Sequence, residues 1–157
     1  MKKIELSVFE KFDKQWALLT AGDEKDFNTM TISWGELGTL WGKPVATVYV
    51  RPSRYTYKYM ENSEYFTVSF YSEQYKKALG LLGKLSGRDC DKVSEAGLTP
   101  ELIEQGITFA EAELTLICKK IYFADMDPAL IPEDVKMKNY PDGDYHRMYI
   151  GEVVEIV

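Results

Sequence analysis

The chain has 157 residues and a mass of 18.0 kDa, which suits one domain with a single core. Apolar residues make up 45% and charged residues 28%, and these ordinary proportions exclude intrinsic disorder and fibrous repeats. The formal net charge of -6 repels polyanions, so nucleic acid is not an expected partner. We therefore predict a single domain over residues 1–157.

The sequence carries few signals for membranes, metals or hydrolytic triads. No apolar run approaches the roughly 20 residues of a membrane span, and Glu5 interrupts any signal-like stretch at the start. We expect a cytoplasmic protein with no membrane contact. Cys90 and Cys118 lie far apart, and the single histidine, His146, has no partner at metal-ligand spacing, so no metal site is expected. A lone histidine without a nucleophile-elbow motif also argues against a hydrolase.

The first half of the chain is rich in short β-forming segments. Alternating side chains predict a strand over residues 29–34, and a β-favouring run predicts another over 45–50. The glycine-rich stretch 35–42 would join them as the roomy loop of a hairpin. Pro52 ends the second strand, and the turn after it leads toward a short helix that ends at Met60.

A strand and two helices are predicted next. Residues 65–70 alternate apolar and small polar side chains, as a strand does. Residues 73–85 change to helical spacing with lysines on the outer face. A polar loop follows over 86–92. Thr99 and Pro100 then resemble an N-cap and first helical position, which predicts a short helix through Gln105.

The last third of the chain predicts two more strands, over residues 112–123 and 146–156, separated by a proline-punctuated loop at 127–132 and a turn at 140–143. Strands and helices do not alternate as βαβ units, and neither a Gly-x-Gly-x-x-Gly nor a Walker motif is present. The pattern therefore favours a mainly β fold, an antiparallel barrel or sandwich with a few helices.

An anion site is indicated where the second predicted strand ends. Arg51, Ser53, Arg54 and Thr56 stand in one turn, and no acidic residue occurs between positions 42 and 60. Arginine forks, hydroxyls and free backbone N–H groups together suit a phosphate. The alternative is that both arginines are solvated surface charges, because weak surface ion pairs are common.

Two further segments have side chains that suit a ligand. Residues 87–92 contain Arg88 and Lys92 and could close over the same anion, although Asp89 and Asp91 cancel their charge. Residues 28–34 place small hydroxyls on an open strand beside Trp34, a combination that suits a planar heteroaromatic ring. Each segment also fits a purely structural role, as a solvated loop and as a core strand.

Five blocks in order resemble the flavin reductase-like family, and more narrowly its flavoredoxin branch. They are residues 28–35, 51–56, 67–70, 87–92 and 146–153. The resemblance implies an FMN-binding split barrel of antiparallel Greek-key type. It also implies a homodimer that exchanges electrons with NAD(P)H or a redox protein, which makes the chain an FMN-dependent oxidoreductase.

The resemblance also assigns roles to individual residues. His146 matches the histidine that lies near the flavin where nicotinamide or substrate docks, and is the one expected catalytic residue. The expected cofactor-binding residues comprise a ring group, a phosphate and ribityl group, and Ser69 near the ring; they are Thr29, Met30, Thr31, Trp34, Arg51, Ser53, Arg54, Thr56, Ser69, Arg88 and Lys92. Residues 124–145 match no pattern in the family.

One alternative stays open on the residues. The chain could be an FMN-binding electron carrier or sensor that turns over no small molecule, because its acidic surface also suits a basic redox partner. A barrel of the pyridoxamine-phosphate oxidase type would use FMN too, but the blocks at 28–35 and 146–153 argue against it.

Overall fold

The structure is a computed structural model that describes residues 4–157. The prediction that the chain starts without a signal-like stretch concerns residues 1–5, and the first three of these lie outside the described residues. Strands dominate the described part of the chain. They are β1 (Ala17–Gly22), β2 (Phe27–Ile32), β3 (Gly35–Leu40), β4 (Lys43–Val50), β5 (Tyr65–Phe70), β6 (Pro100–Ile103), β7 (Gly106–Phe109), β8 (Leu114–Asp125) and β9 (Arg147–Ile156).

The helices are short and lie between the strands. They are α1 (Val8–Glu10), which continues as a π-helical turn (Lys11–Gln15), α2 (Thr56–Asn62), α3 (Lys76–Lys84), α4 (Lys92–Glu95) and α5 (Glu133–Asn139). Single 3-10 turns span Glu73–Tyr75 and Pro128–Leu130. Within residues 4–157, none of the helices has the length and apolar character needed to cross a membrane.

Seven strands form one antiparallel sheet in the order β2-β1-β5-β8-β9-β4-β3. Its two edges, β2 and β3, are joined through Ser33 and Trp34 alone. A flat sheet of seven strands would hold its edges about 29 Å apart, whereas this link spans at most about 11 Å. The sheet must therefore curl until its edges meet. Because no β2–β3 pairing occurs among the described strands, the barrel is split, and the predicted mainly β antiparallel barrel is confirmed.

Two hydrophobic clusters fix the barrel and the helix beside it. The larger one fills the barrel with side chains such as Leu19, Val48 and Phe66. The smaller one packs Leu79 and Leu82 of α3 against the outer side of the sheet. The predicted strand over 65–70 and the predicted helix over 73–85 are thereby confirmed as β5 and as a 3-10 turn followed by α3.

The predicted hairpin between residues 29–34 and 45–50 is wrong. β3 occupies the stretch expected to be a loop and pairs with β4, while β2 pairs with β1 at the other edge of the sheet. Trp41 and Gly42, with φ of 52° and 72°, make the tight β3–β4 turn. Two successive positive φ values define the turn that matches the twist of a two-residue hairpin.

The predicted helix over residues 99–105 is also wrong. β6 and β7 form a separate two-stranded sheet instead. The Thr99 N–H, which a helix would leave free, is held by the Glu111 carboxylate at 3.0 and 3.1 Å. The Thr99 carbonyl accepts the N–H of Ala110 at 2.9 Å. These bonds begin strand pairing at the residue where the N-cap signal predicted a helix, so tertiary pairing overrides the local signal.

The last third of the chain supplies a helix that the sequence did not reveal. The strands predicted over 112–123 and 146–156 are confirmed as β8 and β9. Between them, α5 follows the proline-punctuated stretch, in the region that matched no family pattern. β1, whose side chains are almost all buried, was not predicted either.

Candidate functional site

A pocket of about 220 Å³ opens where β2, β4 and β9 converge. We call it the His146 pocket. Its wall is formed by the end of β2 and the link to β3, by one side chain of β4 and one of the turn after it, and by the residue before β9. The lining residues are Met30, Thr31, Ile32, Ser33, Trp34, Tyr49, Arg51 and His146. Five predicted site residues from three separate blocks, His146 among them, thus share one cavity.

His146 is held in a fixed orientation in this pocket. Its side chain is buried, and Nδ1 lies 2.8 Å from the Tyr140 hydroxyl. The Trp34 ring stands 5.1 Å away, centroid to centroid. Burial, followed by the nearby Arg51 charge, lowers the pKa of His146 to about 4. At pH 7 the ring is therefore a neutral hydrogen-bonding group and carries no positive charge.

The lowered pKa of His146 predicts a loss of stability in mild acid. The unfolded chain binds a proton near pH 6.5, whereas the folded chain resists protonation down to about pH 4. Stability from this group is thus complete above pH 6.5 and is lost as the pH falls toward 4. We expect a His146→Gln variant to have a flatter unfolding free energy across this window, measured by urea denaturation at several pH values. Parallel wild-type and variant curves would contradict the pKa shift.

Arg51 serves as a clamp between the β4 end and the segment before β9. Its guanidinium donates to the carbonyls of Asn139 and Asp144, both at 2.8 Å, and stacks on the Tyr140 ring at 4.8 Å. Ser53 bonds the Asp144 carboxylate with its hydroxyl and its N–H. The Arg51 side chain thus lines the His146 pocket and fixes the Tyr140 that contacts His146.

A second pocket, of about 170 Å³, lies at the other end of β2. We call it the cationic pocket. It is lined by Asn28, Ser53, Arg54, Tyr55, Thr56, Lys84, Leu85, Ser86, Arg88 and Lys92. Four of these residues are lysine or arginine and none of the described lining residues is acidic, although the chain as a whole has an excess of acidic residues. Such a set of cations and hydroxyls favours an anion.

The cations of this pocket crowd one another. Lys92 is 3% exposed, and its ammonium donates to the carbonyls of Leu82 at 3.3 Å and Leu85 at 3.2 Å. Burial, and then the charge of Arg54, lower the pKa of Lys92 to about 8. Burial and the charge of Arg51 lower the pKa of Arg54. A bound anion would raise the pKa of both groups again, because an opposite charge favours their charged forms.

Close packing shapes the loop at the mouth of the cationic pocket. Asn28 donates from Nδ2 to the Thr56 hydroxyl at 2.7 Å, which joins β2 to the start of α2. A Cβ on Gly87 would stand 2.1 Å from Asn28 Oδ1, so only glycine allows the loop to approach this closely. Arg88 in the same loop stacks on Tyr55 at 5.2 Å.

The structure brings most of the predicted site residues into the two pockets. Met30, Thr31, Trp34 and Arg51 line the His146 pocket, and the other arginine and lysine residues line the cationic pocket with Ser53 and Thr56. Two predicted residues line neither pocket. The Thr29 hydroxyl is buried on the Leu19 carbonyl, and the Ser69 hydroxyl pairs with Thr115 inside the fold.

Sequence reasoning missed several lining residues. Lys84 is the last residue of α3, and Ser86 lies two residues further along the chain. The sequence signal for this part of the wall was the positive charge of Lys84 in the last turn of the helix. Tyr49 stood out in the sequence only as one of several tyrosines in the central part of the chain. Tyr140 belongs to the unmatched segment, where no pattern pointed to contact with His146.

The profile of the flavin reductase like domain matches residues 9–157. The chain belongs to this family. A comparison with curated protein sequences finds no significant match. The family prediction, made from five short blocks, is thereby confirmed.

Solved structures similar to this family member include flavoredoxins and FMN-binding proteins. The FMN-binding protein from Thermus thermophilus with bound 1-cyclohex-2-enone is 19% identical with a TM-score of 0.73, covering 100% of this chain and 78% of its own. Flavoredoxin from Methanosarcina acetivorans is 21% identical with a TM-score of 0.70, covering 100% and 75%. Flavoredoxin of Desulfovibrio vulgaris (Miyazaki F) is 22% identical with a TM-score of 0.69, covering 90% and 68%. These likenesses show a shared split-barrel fold.

Proposed function

We propose that the chain is an FMN-binding oxidoreductase of the flavin reductase and flavoredoxin type. The observation that carries the proposal is the cationic pocket, whose four cations face no carboxylate among the described lining residues. A phosphate is the anion that such arginine, lysine and hydroxyl donors hold best. Family membership supports FMN as the molecule that carries this phosphate.

The donor set fits FMN along β2. Arg54, Arg88 and Lys92 would hold the phosphate, with Lys84 beside them, and Ser53 and Thr56 would stand near the ribityl chain. Met30, Thr31 and Trp34 would lie against the isoalloxazine ring in the His146 pocket. Thr29 and Ser69 would act only through the strands that they stabilise, because they line neither pocket and their hydroxyls bond inside the fold.

Bound FMN supplies the electron-transfer chemistry, and the protein supplies position and shielding. His146, neutral at pH 7, would hold a hydrogen bond at the ring edge of the pocket with an orientation set by Tyr140. We propose NAD(P)H as the donor and a small molecule as the acceptor, in a cytoplasmic homodimer. The enone bound in the Thermus thermophilus relative supports a small-molecule acceptor over a carrier that serves redox proteins alone.

Absorption spectroscopy tests this proposal directly. After incubation with FMN and desalting, we expect the purified chain to retain the visible flavin spectrum. Anaerobic NADH or NADPH should then bleach it. A retained spectrum that neither nucleotide bleaches would favour the electron carrier fed by a redox protein. Loss of all flavin on desalting would refute the FMN assignment.

A further inference from the structure

A third cavity, which we call the apolar pocket, lies beside the His146 pocket. It has a volume of about 320 Å³ and shares Trp34 and Tyr49 with its neighbour. Its other walls come from the segment between β8 and β9, which no family pattern covered: Met126, Ile131, Val135 and Tyr140. The Trp34 side chain therefore borders both cavities.

The walls of the apolar pocket specify what it can hold. Three aromatic rings and three aliphatic or thioether side chains form it, and none of the described lining residues is charged. Asn139 provides the amide at its edge, and it donates from Nδ2 to the Val135 carbonyl at 3.1 Å. Because an amide has two N–H groups, one remains to donate to a bound oxygen. Apolar walls with one polar anchor are typical of small-molecule sites.

Hydrogen bonds among the wall residues and to their neighbours hold the wall of the apolar pocket in place. Arg51 donates to the carbonyl of Asn139, which fixes the end of α5. The Asp127 carboxylate accepts the N–H of Ala129 at 2.8 Å and caps the turn that leads to Ile131. The Tyr140 hydroxyl bonds His146 at 2.8 Å and contacts Met126 Sδ at 3.7 Å. These contacts tie the wall to the barrel, so the cavity is a built part of the fold.

We infer that the apolar pocket binds a small, uncharged aromatic molecule bearing a carbonyl oxygen, with the ring between Trp34 and Val135 and the oxygen near Asn139. The volume of the apolar pocket lies at the lower end of the range for small-molecule sites. A cavity of this size suits a ligand of one or two rings and excludes a dinucleotide. A carboxylate is disfavoured because none of the described lining residues is a cation that could offset its desolvation. That this molecule is the second substrate rests on the proposed function.

Fluorine NMR with para-fluoroacetophenone tests the binding site independently of turnover. The probe is titrated with the full chain, first without FMN and then with FMN added, and para-fluorobenzoate is the charged control probe. We expect saturable binding of the ketone and at least about tenfold weaker binding of the benzoate. Val135→Asp should weaken ketone binding about tenfold or more, because it places a charge in the apolar wall.

Met137→Asp is the matched control on the same helix. Met137 is 67% exposed and lies outside the pocket wall, whereas Val135 is 37% exposed and lines it. Equal losses in both variants, equal binding of the two probes, or no ketone binding in the millimolar range would overturn the inference. Ketone binding by a chain that retains no FMN would refute the proposed function while supporting the pocket.

Discussion

Replacing Arg54 by alanine is expected to weaken FMN binding by about 1.5–3 kcal/mol, or roughly ten- to a hundredfold in Kd, the usual worth of a charge-assisted hydrogen bond. Arg54 lines the cationic pocket with Lys92, and its only hydrogen bond from the guanidinium among residues 4–157 goes to the Gly83 carbonyl at 3.2 Å. Most of its donor capacity therefore faces the pocket. Titration calorimetry with FMN measures the change.

A matched control separates local binding from overall charge. Lys77 is an exposed cation on α3 that lines neither pocket, so Lys77→Ala removes the same charge at a different place. We expect its FMN affinity to stay close to that of the wild type, because exposed charges are screened by salt. We also expect Arg54→Ala to cost little stability without FMN, since Arg54 and Lys92 repel each other. Equal affinities for the two variants would remove Arg54 from the phosphate site.

Local sequence patterns were sufficient to predict the strands and the helix whose buried side chains recur at the period of the element itself. β4, β5, β8, β9 and α3 were predicted because their apolar residues recur at the period of a strand or a helix. The β6–β7 pair was missed because its geometry depends on Glu111, which holds the Thr99 N–H across the sheet. No local pattern contains that contact.

The candidate site shows the same division. The sequence placed Arg51 and Arg54 together, since only two residues lie between them, and a local excess of cations predicted an anion. It could not show that one guanidinium is directed to carbonyls of residues 139 and 144 while the other lines the cationic pocket. That distinction depends on contacts about 90 residues away along the chain, which only the folded barrel creates. The same holds for Tyr140 and His146.

The His146 pocket and the apolar pocket share part of their walls, which couples binding of a ring in one cavity to the shape of the other. Trp34 and Tyr49 line both the His146 pocket and the apolar pocket. Arg51 lines the first and holds the carbonyl of Asn139, whose side chain lines the second. One guanidinium therefore controls the position of the wall on which both cavities depend.

Replacing Arg51 by alanine is expected to destabilise this wall more than it weakens phosphate binding. The variant loses two hydrogen bonds of 2.8 Å and the stacking on Tyr140, and we expect a loss of about 1.5–3 kcal/mol in unfolding free energy. Amide hydrogen exchange over residues 126–146 should increase, since α5 and the turn after it lose their clamp. Urea denaturation and exchange mass spectrometry measure the two effects.

Arg51→Lys distinguishes the clamp from a simple charge. Lysine keeps the positive charge but lacks the planar fork that reaches two carbonyls, so we expect it to resemble the alanine variant in hydrogen exchange. The charge of Arg51 is one cause of the lowered pKa of His146, so alanine should raise that pKa and lysine should largely preserve it. A variant with normal stability and exchange but FMN affinity as weak as that of Arg54→Ala would instead assign Arg51 to the phosphate, as the sequence predicted. The contrast between exchange and affinity therefore decides whether this arginine binds the cofactor or builds the pocket around it.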